Sequence, residues 1–308
     1  MLEECDVGHR VVVRRRLAGR AMTDLLGTLT AIDGDRVVIR TEDGTEQAVP
    51  AVDVVAGKRI PPRRPRYSEI DALERVADRC WPAPDHERLG GWYLRAAQGW
   101  TNRANSALPL GNSGLPMSEA VEATRAWYAR RGLTPRITVP LPLRRDVADA
   151  LPDWYAQPRV LVQTAALDIG DPTSEVVLRQ EPTPEFLGLV AARKQSLPEA
   201  ALRVLTGPPQ VRFAHRYAPD GGLVGIARGA VVEDWLHLSV VEVVEAGRRA
   251  GVARDVSRAL AGWARSLGAT RAVLQVEEHN AAAVALYAGL GFTTHHTYIT
   301  YADSYGRS

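Results

Sequence analysis

The sequence predicts an α+β protein with a small all-β segment and a larger part in which strands and helices alternate. Three observations lead to this class. Short apolar runs lie within residues 1–60, and the turn signals Asp33-Gly34 and Asp43-Gly44 separate them. A proline- and arginine-rich stretch follows at residues 58–66. Beyond it, strand-like runs alternate with helix-like runs as far as residue 303.

Length and composition limit the class further. The chain has 308 residues, enough for two or three domains, and 45% of them are hydrophobic, which excludes global disorder. A net charge of +2 gives no support for nucleic-acid binding driven by bulk charge. Cys5 and Cys80 are far apart and form no disulfide framework. Neither a signal-peptide pattern nor an apolar run of about 18 residues is visible, so we expect a cytoplasmic protein without a membrane partner.

Residues 1–57 are expected to form a small barrel, because four or five short strands in about 55 residues are typical of one. Gly8-His-Arg-Val-Val-Val and Gly27-Thr-Leu-Thr resemble an SH3-like or Tudor-like barrel. Residues 58–66 then form a linker that proline stiffens. A solvated linker is favoured over a contact with an acidic partner. The predicted strands are Val11–Val13, Leu25–Ile32, Arg36–Thr41 and Gln47–Val55.

Residues 67–168 read as a second unit. Ser68 opens a helix that reaches about Cys80. Two adjacent strands follow, from Gly91 and from Trp100, joined by a Gln98-Gly99 turn. The remaining elements are a helix at Ser118–Arg131, a strand at Ile137–Pro140, a helix at Arg145–Tyr155 and a strand at Val160–Leu167.

Residues 169–308 form the third unit, in which helices and strands alternate. The predicted helices are Pro184–Ser196, Ala253–Leu267 and Ala281–Ala288. The predicted strands are Val211–Tyr217, Leu223–Val232, Trp235–Val244, Arg271–Glu277 and Thr294–Tyr301.

The loop between the strand that ends at Val244 and the helix that begins at Ala253 is the most informative segment. Backbone N–H groups at a helix start lack intrahelical partners, and the helix dipole favours an anion there. Gly251 lets a ligand approach the backbone without a Cβ, and the neighbouring arginines add positive charge. The loop residues are Arg248, Arg249, Ala250, Gly251, Val252 and Ala253.

Two motifs together resemble the GCN5-related N-acetyltransferase (GNAT) superfamily. The family's pyrophosphate loop has the form Arg/Gln-x-x-Gly-x-Gly/Ala, which Arg248, Gly251 and Ala253 match. Its later motif, Asn-x-x-Ala-x-x-Leu-Tyr-x-x-x-Gly-Phe, is matched from Asn280 to Phe292. The likeness covers roughly residues 170–303 well, and the overall plan looks like actinobacterial GNAT proteins with an N-terminal SH3-like barrel.

The resemblance implies the fold and the cofactor. The fold would be a mixed sheet flanked by helices, with residues 67–168 as a degenerate GNAT-like half without the phosphate loop and residues 169–308 as the acetyltransferase domain. Acetyl-CoA would be the acyl donor, held by the loop through its pyrophosphate. Val241 and Val243 would pair with the pantetheine arm, and Asn280 would hydrogen-bond it. Asparagine also suits a helix N-cap, and both roles are compatible.

Tyr287 is the candidate general acid, because a phenol with a pKa of roughly 10 can give a proton to the departing thiolate. The general base is less well fixed. Glu242 on the central strand is the first choice, with Glu277 and His237 as alternatives, and each could instead be structural or position the substrate. No cysteine lies near the motifs, so direct attack in a ternary complex is expected. His295-His296 lacks a third ligand at useful spacing, so no metal is expected.

Arg103 and Asn105 are candidates for substrate binding. On the predicted strand from Trp100 they would share a face and line a pocket between the two halves, although an interdomain hydrogen-bond network explains them equally well. The predicted activity is transfer of acetyl from acetyl-CoA to a primary amine. Two alternatives remain: a protein-lysine acetyltransferase whose barrel recruits the protein, and a non-catalytic acyl-CoA-binding sensor. The sequence also leaves a homodimer open.

Overall fold

The computed structural model describes residues 2–17, 21–41, 44–61, 63–194 and 197–303. The chain separates into two compact units, Met1–Arg64 and Pro65–Ser308. The strands of each unit pair with strands of the same unit. Within the described ranges, no helix has the length and apolar character needed to span a membrane.

The first unit is a five-stranded antiparallel sheet in the order β4-β3-β2-β1-β5. Its core consists of inward-facing aliphatic side chains from alternate positions, among them Val11, Ile39 and Val49. The strands are β1 (Arg10–Arg16), β2 (Met22–Asp33), β3 (Arg36–Arg40), β4 (Glu46–Pro50) and β5 (Val54–Arg59).

Two sequence expectations for this unit need correction. The single strand predicted over Gln47–Val55 is two strands, because a 3₁₀ turn at Ala51–Asp53 interrupts the extended chain between β4, which pairs with β3, and β5, which pairs with β1. Strand β5 pairs with β1 as far as Arg59, so Lys58 and Arg59 are strand residues and not part of a linker. Pro62, within the predicted linker, lies outside the described residues.

The second unit begins with nine elements that correspond to residues 67–168. The 13-residue helix α2 and strand β9 agree with the sequence prediction, whereas β6 was not predicted and α3 is shorter than expected. The elements are α1 (Tyr67–Cys80), β6 (Asp85–Leu89), β7 (Trp92–Ala96), β8 (Leu108–Pro109), α2 (Met117–Ala129), β9 (Arg136–Leu141), α3 (Arg145–Asp149), β10 (Tyr155–Ala156) and β11 (Val160–Ala166).

The strand predicted from Trp100 is wrong. A 3₁₀ turn occupies Arg103–Asn105, and only Leu108 and Pro109 form strand β8. Thr101 has a positive φ of 62°, which breaks an extended run before the turn. The Asn105 side chain then fixes the bend by bonding to four backbone groups of the preceding segment.

The remaining ten elements agree closely with the alternation predicted after residue 169. Strand β12 and helix α5 were not predicted, and the end of the first predicted helix, residues 195–196, lies outside the described residues. The elements are β12 (Val177–Arg179), α4 (Pro184–Lys194), α5 (Glu199–Thr206), β13 (Val211–Tyr217), β14 (Leu223–Val232), β15 (Trp235–Val243), α6 (Val252–Ser266), β16 (Arg271–Glu277), α7 (Ala281–Ala288) and β17 (Thr293–Ala302).

One mixed sheet joins both parts of this unit, in the order β10-β17-β11-β16-β15-β14-β13-β12 with β9 also paired to β17. The pair β15–β16 is parallel, and the other pairs in this sheet are antiparallel. Strand β11, from the earlier part of the chain, lies between β16 and β17, while β17 lies between β11 and β9. The two halves therefore exchange one strand each.

Helix α6 covers one face of this sheet and sets the position of the loop before it. Its buried side chains recur at helical spacing, and Val256, Leu260 and Ala264 have no exposed surface. They pack against β13, β14 and β15 in the largest apolar cluster. The α+β class with a mixed sheet and flanking helices, predicted from the sequence, is confirmed.

Candidate active site

The main cleft of the second unit lies where two parallel strands separate. Residues Trp235–Leu238 of β15 pair with Arg271–Leu274 of β16, and the recorded pairing stops there. Val240 has a positive φ of 54°, and the register with β14 shifts at the same level. This bulge turns the end of β15 away from β16. The resulting cleft has a volume of about 540 Å³.

The cleft has a polar wall from each half of the unit. Part of the lining comes from the separated ends of β15 and β16, and part comes from residues of the N-terminal half, Trp81 and Trp100–Arg103 among them, and from β17. Its lining includes Trp81, Trp100, Asn102, Arg103, Tyr155, Gln157, Arg193, Ser239, Val240, Val241, Glu242, Gln275, Glu277, Asn280, Tyr287 and Tyr298.

The phosphate-loop segment has the backbone geometry of an anion site. Gly251 is the N-cap of α6 with a φ of +76°, and Arg249 also has a positive φ, of 62°. A Cβ on Gly251 would meet nothing within 4 Å, so its conformation, not crowding, favours glycine. Arg248 and Arg249 are exposed, and no ion pair of either is recorded within the described ranges. Together with the helix start, this arrangement suits a pyrophosphate.

The two valines predicted to pair with a pantetheine arm differ in position. Val241 lines the cleft on the separated part of β15. Val243 instead pairs with Gly225 of β14 and is absent from the cleft wall. The bulge at Val240 accounts for the difference, because it leaves Val240 and Val241 outside the register with β14, which resumes at Glu242 and Val243.

Tyr287 and Asn280 both reach the cleft from α7. The Tyr287 ring is 7% exposed and packs edge-on against Phe292, with 5.7 Å between ring centroids. Burial raises the pKa of the Tyr287 phenol above its usual value, and the charge on Glu242 raises it further. The phenol is thus protonated at neutral pH. The Asn280 side chain accepts a hydrogen bond from the Ala283 N–H at 3.2 Å, as an N-cap does.

The three candidate bases have different surroundings. Glu242 lines the cleft, and its carboxylate lies 2.7 Å from a guanidinium nitrogen of Arg193 on α4. Glu277 ends β16, also at the cleft, 3.3 Å from His279. His237 is fully buried, and burial together with the nearby positive charges of Arg103 and Arg228 lowers its pKa well below the usual value.

Arg103 and Asn105 do not share a face. Arg103 lines the cleft, and its Nη1 lies 3.2 Å from Nε2 of His237. Asn105 has no exposed surface, and its amide accepts from the N–H groups of Ala97 and Gly99, both at 2.8 Å. Asn105 therefore holds the turn that carries Arg103, and its predicted contact with substrate is corrected to a supporting role.

Sequence reasoning missed several residues of the cleft. Trp81 and Tyr298 arrive from outside the recognised motifs, and nothing local marks them. Arg228 does not line the cleft but is buried near it, and it could have been noticed because it is a charge inside the otherwise apolar run of β14. Arg193 lies on a predicted helix, and only the fold brings it to Glu242.

Comparisons with known proteins agree with this geometry. A family model described as probable histone acetyltransferase Rv0428c, C-terminal, matches residues 67–301, and a model of the Rv0428c N-terminal Sm-like domain matches residues 5–58. The probable histone acetyltransferase Rv0428c of Mycobacterium tuberculosis is 34% identical, over 94% of this chain and 93% of its own. The uncharacterized N-acetyltransferase YobR of Bacillus subtilis is 30% identical, over 73% of this chain and 95% of its own.

Solved structures agree on the fold. A GCN5-related N-acetyltransferase from Kribbella flavida superposes with a TM-score of 0.58 at 14% identity, covering 80% of this chain and 98% of that one. A tandem GNAT protein from the clavulanic acid biosynthesis pathway gives 0.52 at 16% identity, covering 80% and 91%. The predicted GNAT fold with tandem halves is confirmed. The predicted small barrel corresponds to the segment that matches the Sm-like model.

Proposed function

We propose a function from an established premise: the chain belongs to the family of the probable histone acetyltransferase Rv0428c, and it is an N-acetyltransferase with the GNAT fold. The proposed reaction transfers an acetyl group from acetyl-CoA to a primary amine by direct attack in a ternary complex. The observation that carries the proposal is the cleft between the separated ends of β15 and β16, with the glycine-capped start of α6 after β15.

Acetyl-CoA fits the residues present. The N–H groups of Arg249 to Ala253 would bind the pyrophosphate, because first-turn N–H groups have no intrahelical acceptors. The separated strand β15 has unpaired backbone at Val241, which suits an amide-bearing arm. When bound, acetyl-CoA supplies an activated acetyl carbonyl. Asn280 would contact the same arm while it caps α7.

The transfer needs two proton movements. The acceptor must lose a proton before its nitrogen forms the new C–N bond, and the thiolate gains one when the C–S bond breaks. We assign the second step to Tyr287, since its buried phenol carries a proton to give. For the first step we propose Glu242, with Glu277 as the alternative at the same cleft. His237 is less suited, because it lies beneath the cleft wall with no exposed surface.

We further propose a role for each segment of the chain. Residues 1–57 would be an SH3-like barrel, corrected to extend through Arg59, and residues 67–168 would be a degenerate GNAT-like half. Residues 169–308 would hold the cofactor. The free thiols, Cys5 exposed and Cys80 buried, are compatible with a cytoplasmic location.

A protein-lysine acetyltransferase is the second candidate. It is favoured by the printed name of the mycobacterial relative and by the additional N-terminal unit. In that case the small barrel would recruit the protein that is modified. Removal of residues 1–59 would then lower turnover of a protein acceptor and leave turnover of a small amine unchanged.

The deciding experiment is calorimetric titration of the purified protein with acetyl-CoA, followed by a screen of amines with detection of free CoA. Micromolar binding and turnover of an amine would support the proposal. Binding without turnover on any small amine or lysine peptide would support an acyl-CoA sensor instead. An absence of binding would overturn the cofactor site.

A further inference from the structure

We propose that the acceptor amine also carries a carboxylate, and that Arg103 binds this carboxylate in the cleft. This inference rests on the proposed acetyltransferase function and adds a substrate class to it: small amino-carboxylates such as amino acids. Arg103 would be a specificity-determining residue contributed to the cleft by the N-terminal half.

The first observation is that Arg103 is held rigidly. It opens the 3₁₀ turn Arg103–Asn105, and the buried Asn105 amide fixes this turn through bonds to the carbonyls of Trp100, at 2.6 Å, and Thr101, at 2.8 Å. The guanidinium carbon lies 5.5 Å from the centre of the Trp81 ring. A guanidinium that is already positioned loses little conformational entropy when a ligand binds.

The second observation is that the charge of Arg103 is not compensated. Among the residues that the structure describes, no carboxylate lies within ion-pair distance of it, and its buried Nε has no hydrogen-bond partner. Its hydrogen-bond contacts are with the Tyr298 phenol and with His237, which is buried and carries no charge at neutral pH because its pKa is strongly lowered, so neither partner compensates the charge. A buried polar atom without a partner is costly, so a ligand atom at this position would stabilise the site.

A second guanidinium adds to the positive charge beneath the same wall. Arg228 has no exposed surface and donates to the carbonyls of Leu205, at 2.7 Å, and Cys80, at 3.0 Å, and to Ser239 Oγ, at 3.2 Å. No ion pair of Arg228 is recorded within the described ranges. Burial lowers its pKa to about 9, so it is still charged at neutral pH. Two uncompensated cations beside a solvent-filled cleft favour an anionic ligand.

The acidic residues of the cleft stand on other elements. Glu242 lies on β15 and Glu277 at the end of β16, where the amine has to meet the acetyl group. A cationic amine and an anionic group on one small molecule would match both sets of charges. A lysine side chain alone would leave Arg103 without a partner. Arg193 also lines the cleft but is paired with Glu242, so Arg103 offers one guanidinium fork without a carboxylate partner. One such fork matches one carboxylate, whereas a phosphate dianion calls for more donors.

The test compares each amino acid with its decarboxylated amine: tyrosine with tyramine, tryptophan with tryptamine, and histidine with histamine. Amino-acid amides and a lysine peptide complete the panel. We expect kcat/KM to be at least about 100-fold higher for the preferred amino acid than for its decarboxylated amine. In Arg103→Gln this ratio should fall to near one, while the affinity for acetyl-CoA stays unchanged.

Two further variants keep the test decisive. Arg103→Lys retains the charge without the fork and should retain part of the preference, so it serves if the glutamine variant does not fold. Arg79→Gln, on the exposed part of α1, should leave the ratio unchanged. Equal turnover of carboxylated and decarboxylated amines by the wild type, or turnover of the lysine peptide alone, would overturn the inference and leave the acetyltransferase function intact. A failure to bind acetyl-CoA would instead overturn the function itself.

Discussion

The two halves of the larger unit share one order of elements. They differ in the loop that joins a strand to the following helix, which in the C-terminal half is the proposed cofactor loop. In the N-terminal half, β8 is followed by a loop, α2 and β9; in the C-terminal half, β15 is followed by a loop, α6 and β16. In both, the strand before the helix lies parallel to the strand after it. The two segments therefore have the same topology and differ in their side chains.

In the N-terminal half, the chain satisfies its own polar groups. Asn112 accepts from the N–H of Gly114 at 2.8 Å, and Ser113 Oγ accepts from the N–H of Leu115 at 3.2 Å. The Arg144 guanidinium donates to the carbonyls of Pro109, at 2.9 Å, and Gly111, at 2.8 Å. Two N–H groups of this loop and two carbonyls at the end of β8 are thus occupied by side chains of the same half.

In the C-terminal half, the corresponding groups are available. Within the described ranges, no side chain accepts a hydrogen bond from the N–H groups of Arg249 to Ala253, and β15 beyond Leu238 has no recorded pairing with β16. The lesson is that strand order alone does not make a cofactor site. Internal hydrogen bonds decide whether the same topology is open or closed.

The largest expected effect is on acetyl-CoA binding by a matched pair of glycine substitutions. Gly251→Glu should weaken binding by more than 100-fold, because a carboxylate would face the pyrophosphate. Gly114→Glu, at a similar positive φ with equally open space, should leave binding unchanged. Calorimetry of both variants checks this, and unchanged affinity in Gly251→Glu would contradict the loop assignment.

Tyr287→Phe tests the chemistry proposed for the C-terminal half. Loss of the general acid should lower kcat on the order of 100-fold, while the affinity for acetyl-CoA changes little. Steady-state kinetics and calorimetry separate the two. Tyr301→Phe on β17 serves as the control. An unchanged kcat in Tyr287→Phe would remove its acid role.

Arg144→Met tests whether the hydrogen bonds of Arg144 stabilise the N-terminal half. The side chain is 13% exposed, and charge-assisted bonds to two carbonyls are lost, so the free energy of unfolding should fall by about 2 kcal/mol. Acetyl-CoA should still bind at one site per chain, because the loop N–H groups remain occupied. Arg145→Met, which is exposed, controls for the loss of charge. A second acetyl-CoA site in Arg144→Met would show that Arg144 alone prevents the N-terminal half from binding acetyl-CoA.

The smallest effect concerns pH. His237 is neutral when folded because its pKa is lowered, whereas an unfolded histidine has a pKa of about 6.5. Below that value the unfolded state binds more protons, so stability is complete above about pH 6.5 and falls by up to about 1.4 kcal/mol per pH unit as the medium becomes more acidic. Urea unfolding at pH 7.5 and 5.5 should show a smaller difference for His237→Gln than for the wild type or for the exposed His86→Gln. Equal differences would mean that His237 does not cause the loss of stability at acidic pH.

The sequence predicted those features that depend on neighbouring residues. The loop at Gly251 and the cap at Asn280 each lie within one short motif, so the local residue types and the resemblance to the GNAT family were enough to identify them. Arg103 was selected for the wrong reason, since four side-chain bonds of Asn105 turn a segment that reads as a strand. Of the two valines on β15, Val241 lines the cleft beside the bulge at Val240, whereas the backbone contact of Val243 with a pantetheine arm stays a prediction.

The exchange of strands could not be predicted from local patterns. Tyr298 reaches the cleft on β17, one of the exchanged strands, and apolar periodicity does not say which partner a strand will choose. Trp81 reaches it at the end of α1, which packs against β14 and β15. Arg193 and Glu242 are likewise brought together by packing between α4 and β15.

The exchanged strands also govern the order of events during synthesis. Residues of β9 pair with residues of β17 that lie roughly 160 positions further along the chain. At about 5–20 residues per second, the ribosome needs about 8–30 s to supply that partner. During this interval β9 has an open edge, which is the kind of surface that chaperones protect and that aggregates exploit. The sheet that joins the two halves is therefore complete only after β17 has been synthesised and has paired with β9 and β11.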